Sequence, residues 1–495
     1  MKKMVFILCL AICVVFAISG VCAGDINDTV VASDDGQVIY DMDEEKVVCP
    51  ADKLPIASSQ NEDVINAASG TFTQLQNKID AAAEGSTITL DKDYKYNSGF
   101  SVKGIEINKD LTINGKGHTL DGLSKARIFD VSSKNVILNN INFVNGNANN
   151  KDGGAISAYS SNFTVNSCKF INNKANNGGA IFLEYGEIDV KNSVFNKNSA
   201  KNSGGAIGTI EDDDPFTTVF GYNYDTTIHV VSSTFTSNSA NKGGAIQANT
   251  DLKVSSSKFT SNKASDDGGA LYVCSGLLTF SSSYKSNKAS GGGGAIYIST
   301  GNNMILDSVF AANSASWLGG AIYFDYRQDD KDDASFISHS KFIGNIVNTY
   351  EGDLSGGAIY KYKGDNVLAS ECSFYKNKVY IEKGGVKKYD NIVGIKTESC
   401  VFLKDKLALK KVNVKKSASK LVLKATLKQG KTPLKGQKII FNFNGKNYKA
   451  KTNKKGVAKF VINKKILNKL KVGKKVKYQA SYDLLKVKRT AKVKK

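Results

Sequence analysis

Histidine and arginine are scarce in this 495-residue chain. It contains three histidines, scattered along the sequence, and almost no arginine. Imidazoles scattered in this way give no recognisable catalytic motif in the sequence. A chain with so little arginine also lacks the side chain that makes bidentate contacts with bases and phosphates. The composition therefore argues against a nucleic-acid partner and against a lyase that uses arginine or histidine as its basic residue. The residues concerned are His118, His229, His339, Arg127, Arg327 and Arg489.

Long apolar runs are missing after the first residues. Two lysines precede the apolar stretch 4–18, which is followed by small residues up to Ala23. This pattern predicts a signal peptide over 1–23, and a lipoprotein signal at Cys22 is the alternative. No later stretch is long or apolar enough to span a bilayer, so we expect a secreted or wall-associated protein without an integral membrane anchor. Residues 24–68 are acidic and aperiodic, which predicts a flexible leader.

A short repeat runs from about residue 143 to 405. Gly-Gly-Ala-Ile or Gly-Gly-Ala-Leu recurs at intervals of 25, 26, 39, 25, 25, 26 and 37 residues, and degenerates after a further 28. Alternating apolar residues and a Phe-x-x-Asn segment precede most copies, which is typical of short strands between turns. A unit this short cannot bury its own apolar face. The repeats are therefore predicted to stack as a right-handed parallel β-helix of about 25 residues per coil. The first glycines are Gly153, Gly178, Gly204, Gly243, Gly268, Gly293, Gly319, Gly356 and Gly384.

Residues one repeat apart are predicted to lie above one another. The asparagine three residues after each aromatic residue then forms a ladder, in which each amide bonds the next. Upstream, Thr73 with Gln76 as its capping-box partner predicts a short helix that stops by Gly85 and caps the first coil. The β-helix with this helix is expected over residues 69–407. The ladder residues are Asn173, Asn198, Asn238, Asn262, Asn287, Asn313, Asn345 and Asn377.

The composition changes at about residue 408. Residues 403–495 hold 31 lysines and arginines against two acids, a net charge of +29, whereas residues 1–402 carry −8. Alternating apolar residues between turns predict a small β-sandwich over 408–495. Its charge is expected to bind an anionic cell-wall polymer, and a spacer kept soluble by that charge is the alternative.

Two linked motifs carry a family resemblance. Phe-x-x-Asn paired with Gly-Gly-Ala-Ile resembles the repeat of chlamydial polymorphic membrane proteins. Its combination with the basic tail is similar to adhesin-like surface proteins of methanogenic archaea. The segment 111–122 resembles the first turns of pectin-lyase-like folds, and 452–460 is similar to a motif of bacterial Ig-like domains. These resemblances imply a β-helix and an Ig-like domain at a cell surface, but β-helices also host lyases and hydrolases.

Two sets of side chains are candidates for binding. A tyrosine follows the Gly-Gly-Ala segment on four successive coils, and this outward column is predicted to stack on sugar rings or to seat a partner. The alternative is that it only stabilises the sheet or is covered by a loop. Acidic loops at 211–225 and 325–334 are candidates for Ca²⁺, with solubilising loops as the alternative. The residues are Tyr272, Tyr297, Tyr323, Tyr360, Asp212, Asp213, Asp214, Asp329 and Asp330.

Cysteine gives no disulfide framework. Cys372 and Cys400 fall two residues before the aromatic residue of adjacent coils, where a Cα separation of about 5 Å is within disulfide range. A bridge in an oxidising exterior and an inner stack of small residues are the two outcomes expected here.

The leading interpretation is a non-catalytic, secreted or cell-surface, adhesin-like protein. Its β-helix displays a binding surface for cell-wall or host glycans or for surface proteins, and its basic domain is a tether. The alternative is a carbohydrate-active enzyme, a polysaccharide lyase or glycoside hydrolase. Glycosidases need two carboxylates facing one cleft, and no such pair recurs at one phase of the repeat. No catalytic residue and no cofactor other than calcium is predicted. A purely structural envelope component is the third interpretation.

Overall fold

The computed structural model describes residues 69–495 except 133, 211–225, 326–333, 351–354, 363–365 and 383–385. Over this range the chain is all-β, as predicted: a parallel β-solenoid of about eleven turns precedes a smaller module, and the helices are short. No helix in the described part is both long and apolar enough to cross a membrane. The predicted signal peptide and leader, residues 1–68, lie outside the described residues.

Each repeat contributes strands to three sheets, because the chain bends at fixed points of the repeat. Sheet 1 carries the phenylalanine of each repeat. Phe170 lies beside Phe195, and Phe195 beside Phe235, on successive turns. The 13 strands of sheet 1 are Gly70–Thr71, Tyr94–Lys95, Thr119–Asp121, Asn142–Val144, Lys169–Ile171, Val194–Asn196, Thr234–Thr236, Lys258–Thr260, Ser283–Lys285, Val309–Ala311, Lys341–Ile343, Ser373–Tyr375 and Val401–Leu403.

Sheet 2 has two adjoining columns of strands. The first column follows the glycine pairs, and the second carries the next alternating apolar residues. The strands Ile156–Asn166 and Ile181–Lys191 span both columns. The first column adds Ile105–Ile107, Phe129–Ser132, Ile207–Thr209, Ile246–Ala248, Leu271–Val273, Ile296–Ile298, Ile322–Phe324, Ile359–Lys361 and Ile392–Val393. The second adds Thr87–Thr89, Leu111–Asn114, Asn135–Asn139, Thr227–Val231, Asp251–Ser255, Leu277–Phe280, Met304–Leu306, Ser335–Ser338, Val367–Ser370 and Lys396–Glu398.

Sheet 3 has the fewest strands of the three and lies between the asparagine bend and the glycine pair. Its strands are parallel except for the last, Val386–Tyr389, which runs antiparallel to Lys378–Ile381. The parallel stacking of this sheet therefore ends there. The other strands are Lys174–Asn177, Ser199–Ser203, Ser239–Ala240, Lys263–Ala264, Lys288–Ala289, Ser314–Ala315 and Ile346–Thr349.

A column of aromatic rings runs under sheet 1. From Phe143 to Phe402, neighbouring rings lie 4.6–5.1 Å apart and within 11° of parallel. The rings from Phe143 to Phe374 are fully buried, and each such burial stabilises the fold by about 2–3 kcal/mol. The column makes one continuous core along the solenoid.

Buried asparagines form a second column at the bend after each ring. The Nδ2 of Asn262 donates to the Oδ1 of Asn287 and to the carbonyl oxygen of Phe235, both at 3.0 Å. Its Oδ1 accepts from the backbone and side-chain N–H groups of Asn238, also at 3.0 Å. The eight asparagines from Asn173 to Asn377 are fully buried and repeat this pattern, with amide–amide distances of 2.9–3.0 Å. A buried amide with every group paired fixes the bend without an unsatisfied polar atom.

The glycine pair fits where no side chain could. Gly178 has a φ of +56°, in the left-handed region, and a Cβ on Gly179 would lie 2.2 Å from the carbonyl oxygen of Gly205 on the next turn. The first glycine therefore supplies the turn and the second lets neighbouring turns approach.

The N-terminal helix spans Phe72–Asp80, and its predicted capping box is wrong by two residues. Thr71 is the N-cap: its Oγ1 accepts from the Gln74 N–H at 3.2 Å, and the Gln74 Oε1 accepts from the Thr71 N–H at 3.0 Å. The predicted partner, Gln76, instead bonds the backbone of Glu106. The helix begins earlier because Phe72 then joins its buried face. The buried helix residues are Phe72, Leu75 and Ile79, which belong to the solenoid core.

The C-terminal module, residues 405–495, consists of two sheets around a separate core. Leu423 and Phe441, one from each sheet, belong to one apolar cluster. Sheet 4 contains Asp405–Leu409, Lys420–Gln429, Thr432–Pro433 and Val457–Asn463. Sheet 5 runs, in spatial order, Val414–Lys415, Leu485–Lys494, Lys475–Tyr482, Lys438–Phe443 and Lys446–Lys451. A short helix, Lys464–Leu467, follows sheet 4.

A candidate ligand groove on the solenoid

Two columns of outward side chains face each other across the turn at the glycine pairs. One holds the residue before each pair, and the other holds the residue after each Gly-Gly-Ala-Ile/Leu segment. The Tyr323 ring lies over Gly292, where an added Cβ would meet it at 2.3 Å, and the Lys242 Nζ lies 5.2 Å from the centre of the Tyr272 ring. We call the space between the columns the groove. The first column is Asp152, Asn177, Ser203, Lys242, Asp267, Gly292, Leu318 and Ser355; the second is Ser157, Phe182, Gly208, Gln247, Tyr272, Tyr297, Tyr323 and Tyr360.

The predicted tyrosine column occupies one end of the groove, but most of it is buried. All four tyrosines pair in register, yet Tyr297, Tyr323 and Tyr360 are only 4, 2 and 8 % exposed. Leu318 belongs to the same buried apolar cluster as these three rings. The neighbouring Trp317, 52 % exposed, meets Tyr323 edge-on at 6.2 Å. This burial agrees with the alternative that the column stabilises the sheet, and a ligand-binding role for the four tyrosines stays a prediction.

A buried carboxylate holds two of the tyrosines. Asp325 is 4 % exposed and accepts hydrogen bonds from the hydroxyls of Tyr297 and Tyr323, the latter at 2.9 Å. Burial, together with the bond to Asp325, holds the pKa of Tyr297 well above its ordinary value. The hydroxyl consequently stays protonated and remains a hydrogen-bond donor.

Asp267 is a second carboxyl group at this end. It accepts a hydrogen bond from the Gly292 N–H at 2.6 Å. Burial raises the pKa of Asp267 to about 6, against the effect of that hydrogen bond, and the neighbouring Asp266 and Asp325 act in the same direction as burial. Lys242 opposes the shift. The groove therefore contains a carboxyl group that titrates in the mildly acidic range.

At its other end the groove opens into a pocket of about 420 Å³. Gly208 lies between Phe182 and Gln247 in the second column, so one turn contributes no side chain there. Two carboxyl groups, three amides and an ammonium group surround the pocket, beside a phenylalanine and an isoleucine. The lining residues are Asp152, Asn177, Phe182, Glu184, Asn202, Ile210, Asn241 and Lys242.

The carboxyl groups of the pocket are Asp152 and Glu184. Burial raises the pKa of both, and the Asp152 charge adds to the shift of Glu184. The hydrogen bonds from Asn177, including a 2.8 Å bond from its N–H, and the Arg127 charge act against the shift of Asp152. Carboxyl groups in such surroundings can accept hydrogen bonds and, when protonated, donate one. The sequence did not reveal this pair because Asp152 precedes the glycine pair of its own turn, whereas Glu184 follows the glycine pair of the next turn.

A histidine lies among carboxylates on sheet 2. The His229 Nδ1 is 3.1 Å from Asp189 and 3.3 Å from Glu187, and these three could together contact a metal ion. Lys191 binds the other oxygen of Asp189 at 2.8 Å. The contact of the His229 Nδ1 with Asp189 and the ion pair between Lys191 and Asp189 hold these side chains together. The candidates for calcium, Asp212, Asp213, Asp214, Asp329 and Asp330, lie outside the described residues.

Cys372 and Cys400 are free thiols on adjacent turns. Their flanking residues pair in register, which places the two cysteines next to each other on adjacent turns. Burial raises the pKa of Cys372 to about 12 and also raises that of Cys400. The disulfide between them stays a prediction.

Comparison with known proteins identifies the repeat. The family model of the Chlamydia polymorphic membrane protein (Chlamydia_PMP) repeat matches residues 167–184, 232–249 and 256–274. Each match includes a phenylalanine of the ring column, a glycine pair and the groove residue after it. No curated protein and no solved structure matches the chain. The solenoid is thus a β-helix with repeats similar to those of polymorphic membrane proteins.

Proposed function

We propose that the chain is a non-catalytic, secreted or wall-associated, adhesin-like protein. Its solenoid presents the groove to a glycan, and its basic module tethers it to an anionic polymer of the cell wall. The pocket carries the proposal, because it is an open polar cavity on a scaffold whose bends are fully hydrogen-bonded. The repeats shared with polymorphic membrane proteins support a place at the cell surface.

The proposal also covers the handedness and coil length of the solenoid, the role of the N-terminal helix and the fold of the C-terminal module. The β-helix is right-handed with about 25 residues per coil, and the N-terminal helix caps its first turn. The buried residues Phe72 and Ile79, which join the solenoid core, support that role for the helix. An Ig-like sandwich is proposed for the module, and the single apolar cluster between its two sheets supports this.

The chemistry of the pocket suits a sugar with several free hydroxyl groups. Carboxylates accept hydrogen bonds from hydroxyls, amides both donate and accept, and Lys242 donates. Phe182 lines the pocket but is itself only 6 % exposed, and Trp317, beside Leu318, is the exposed ring on which a sugar can stack. A saccharide longer than one residue would therefore follow the groove along the solenoid axis.

Binding to a glycan array tests this proposal. The double variant D152N/E184Q keeps the shape of the pocket but removes its carboxylates, and we expect it to lose at least about tenfold in affinity for any glycan bound by the unmodified protein. The matched control is D307N/E398Q, which removes the same charge from exposed positions of other turns. The proposal fails if no glycan binds, or if both variants bind as the unmodified protein does.

A second candidate function is a carbohydrate-active enzyme. The raised pKa values of Asp152 and Glu184 favour it, because glycoside hydrolysis uses one protonated and one ionised carboxyl group. Incubation of the protein with acidic and neutral polysaccharides tests it. New reducing ends or unsaturated products, formed by the unmodified protein and lost in D152N/E184Q, would establish catalysis. Binding without products would leave the adhesin-like function.

A further inference from the structure

The outer face of sheet 5 is covered by lysines. Its strands alternate, so that Val476 and Tyr478 point into the module core while Lys475 and Lys477 are exposed. Neighbouring strands are in register, and Lys475 lies directly opposite Lys492. Every strand of the sheet contributes to this face. Its exposed lysines are Lys415, Lys438, Lys449, Lys451, Lys475, Lys477, Lys486, Lys488, Lys492 and Lys494.

The acidic side chains of the module are used elsewhere. Asp405 accepts a hydrogen bond from Tyr375 of the solenoid at 2.9 Å and pairs with Lys376 at 3.3 Å. Asp483 pairs with Lys378 of the solenoid at 2.7 Å. Residues 405–495 are all described, and they contain no other aspartate or glutamate. The lysine face is therefore not neutralised by side chains of its own module.

Uncompensated lysines make this face favourable for a bound anion. Like charges directly opposite each other on adjacent strands destabilise a sheet, and Lys438 opposite Lys451 repeats the arrangement of Lys475 and Lys492. A polyanion laid across the strands would replace this repulsion by attraction. Side chains on one face recur about every 6.6–6.8 Å along a strand and about every 4.8 Å between strands, which suits a chain with closely repeated charges.

The side chains between the lysines indicate the class of polymer. They are polar or aliphatic, such as Gln479, Thr490 and Ile440, and this fully described face offers no aromatic ring for a nucleic-acid base. Lysine acts as a point charge and does not require bidentate geometry. We infer that the outer face of sheet 5 binds a linear anionic polysaccharide through charge density. This inference rests on the proposed tether and names the surface and the ligand class.

Two charge-matched variants of the full chain test the inference. The face variant K475Q/K477Q/K488Q/K492Q removes four lysines from sheet 5. The control K454Q/K455Q/K464Q/K465Q removes four exposed lysines from a turn and the short helix of the same module. Affinity is measured for polygalacturonate, long-chain polyphosphate, single-stranded DNA and neutral dextran at low and at physiological salt. We expect the face variant to bind polygalacturonate at least about tenfold more weakly and the control less than about threefold.

The outcomes separate the inference from the proposed function. If both variants lose affinity equally, net charge alone acts and the inference is wrong, while the tether stands. If the unmodified protein binds neither polygalacturonate nor polyphosphate, the tether itself is wrong. Tighter binding of DNA than of polygalacturonate would overturn the ligand class. If polyphosphate binds more tightly than polygalacturonate and only the face variant loses this binding, sheet 5 is the binding surface, but the polysaccharide is wrong as its ligand.

Discussion

The side chains of Asn262 and Asn287, which are separated by one repeat, share a 3.0 Å hydrogen bond in the interior of the solenoid. The Nδ2 of Asn262 also donates to the carbonyl oxygen of Phe235, and its Oδ1 accepts from the backbone and side-chain N–H groups of Asn238. One side chain therefore completes the hydrogen bonding of three neighbouring turns. Its removal leaves buried polar groups unpaired on either side.

Asn262→Ala is accordingly expected to destabilise the solenoid by about 3–5 kcal/mol. The control is Asn241→Ala, which changes an exposed asparagine one turn earlier and should cost less than about 1 kcal/mol. Urea unfolding followed by circular dichroism measures both. Equal effects of the two substitutions would contradict a structural role for the ladder.

Asp267→Asn is expected to change the pH dependence of stability. The pKa of Asp267 is about 6 in the folded chain and about 3.9 in an unfolded chain. The folded state therefore binds the proton more tightly, and the stability that this group contributes below about pH 4 is lost as the pH rises through about 6. The free energy of unfolding of D267N minus that of the unmodified protein should therefore be larger at pH 7.5 than at pH 4, by on the order of 1 kcal/mol after allowance for solvent screening. Asp307→Asn, at an exposed site, should show no such difference, and a pH-independent effect of D267N would refute the assignment.

Mild oxidation is expected to join Cys372 to Cys400. Because burial raises the pKa of Cys372 to about 12, thiolate is scarce and the reaction should be slow at pH 7 and faster at pH 9. Peptide mass spectrometry would show one cross-link and a loss of about 2 Da. Cys168 is a matched control, since burial raises its pKa to about 12 as well but its neighbour on the next turn is Ser193. A cross-link to Cys168 or Cys274 would contradict the register.

Tyr297→Phe is expected to act on stability and not on ligand affinity. It removes the hydroxyl that donates to buried Asp325, which should cost about 1–2 kcal/mol. Tyr159→Phe, at a 49 % exposed position, should cost less than about 0.5 kcal/mol. Thermal unfolding and the glycan assay distinguish the two effects. Loss of glycan binding in Y297F at unchanged stability would restore the tyrosine column as a contact surface.

The repeat allowed the columns to be predicted, because a constant pairing register places equivalent residues on adjacent turns. Phe170 and Phe195 stack at 4.7 Å, and their asparagine partners follow the same register. The first residue of the helix, by contrast, could not be predicted from the sequence alone. Both Thr71 with Gln74 and Thr73 with Gln76 satisfy the capping pattern, and burial of Phe72 against the solenoid core selects the first.

The groove depends on single departures from the repeat, which a consensus pattern does not contain. Leu318 joins the buried tyrosine cluster at one turn, and Gly208 leaves the second column without a side chain at another. Asp152 and Glu184 meet only because the glycine turn brings residues of different phases together. The scaffold was therefore predictable from its period, whereas the site required the packing of particular side chains.

The ladder tolerates unequal turns. Asn173 and Asn198 are 25 residues apart, Asn198 and Asn238 are 40 residues apart, and both pairs bond at 2.9–3.0 Å. Phe195 and Phe235 likewise stack at 4.6 Å across the longer interval. Extra sequence can thus enter at the edge of one turn while the interior of every other turn keeps its neighbours. Such a chain can acquire or exchange surface segments one turn at a time while the columns of rings and asparagines in its interior stay unaltered.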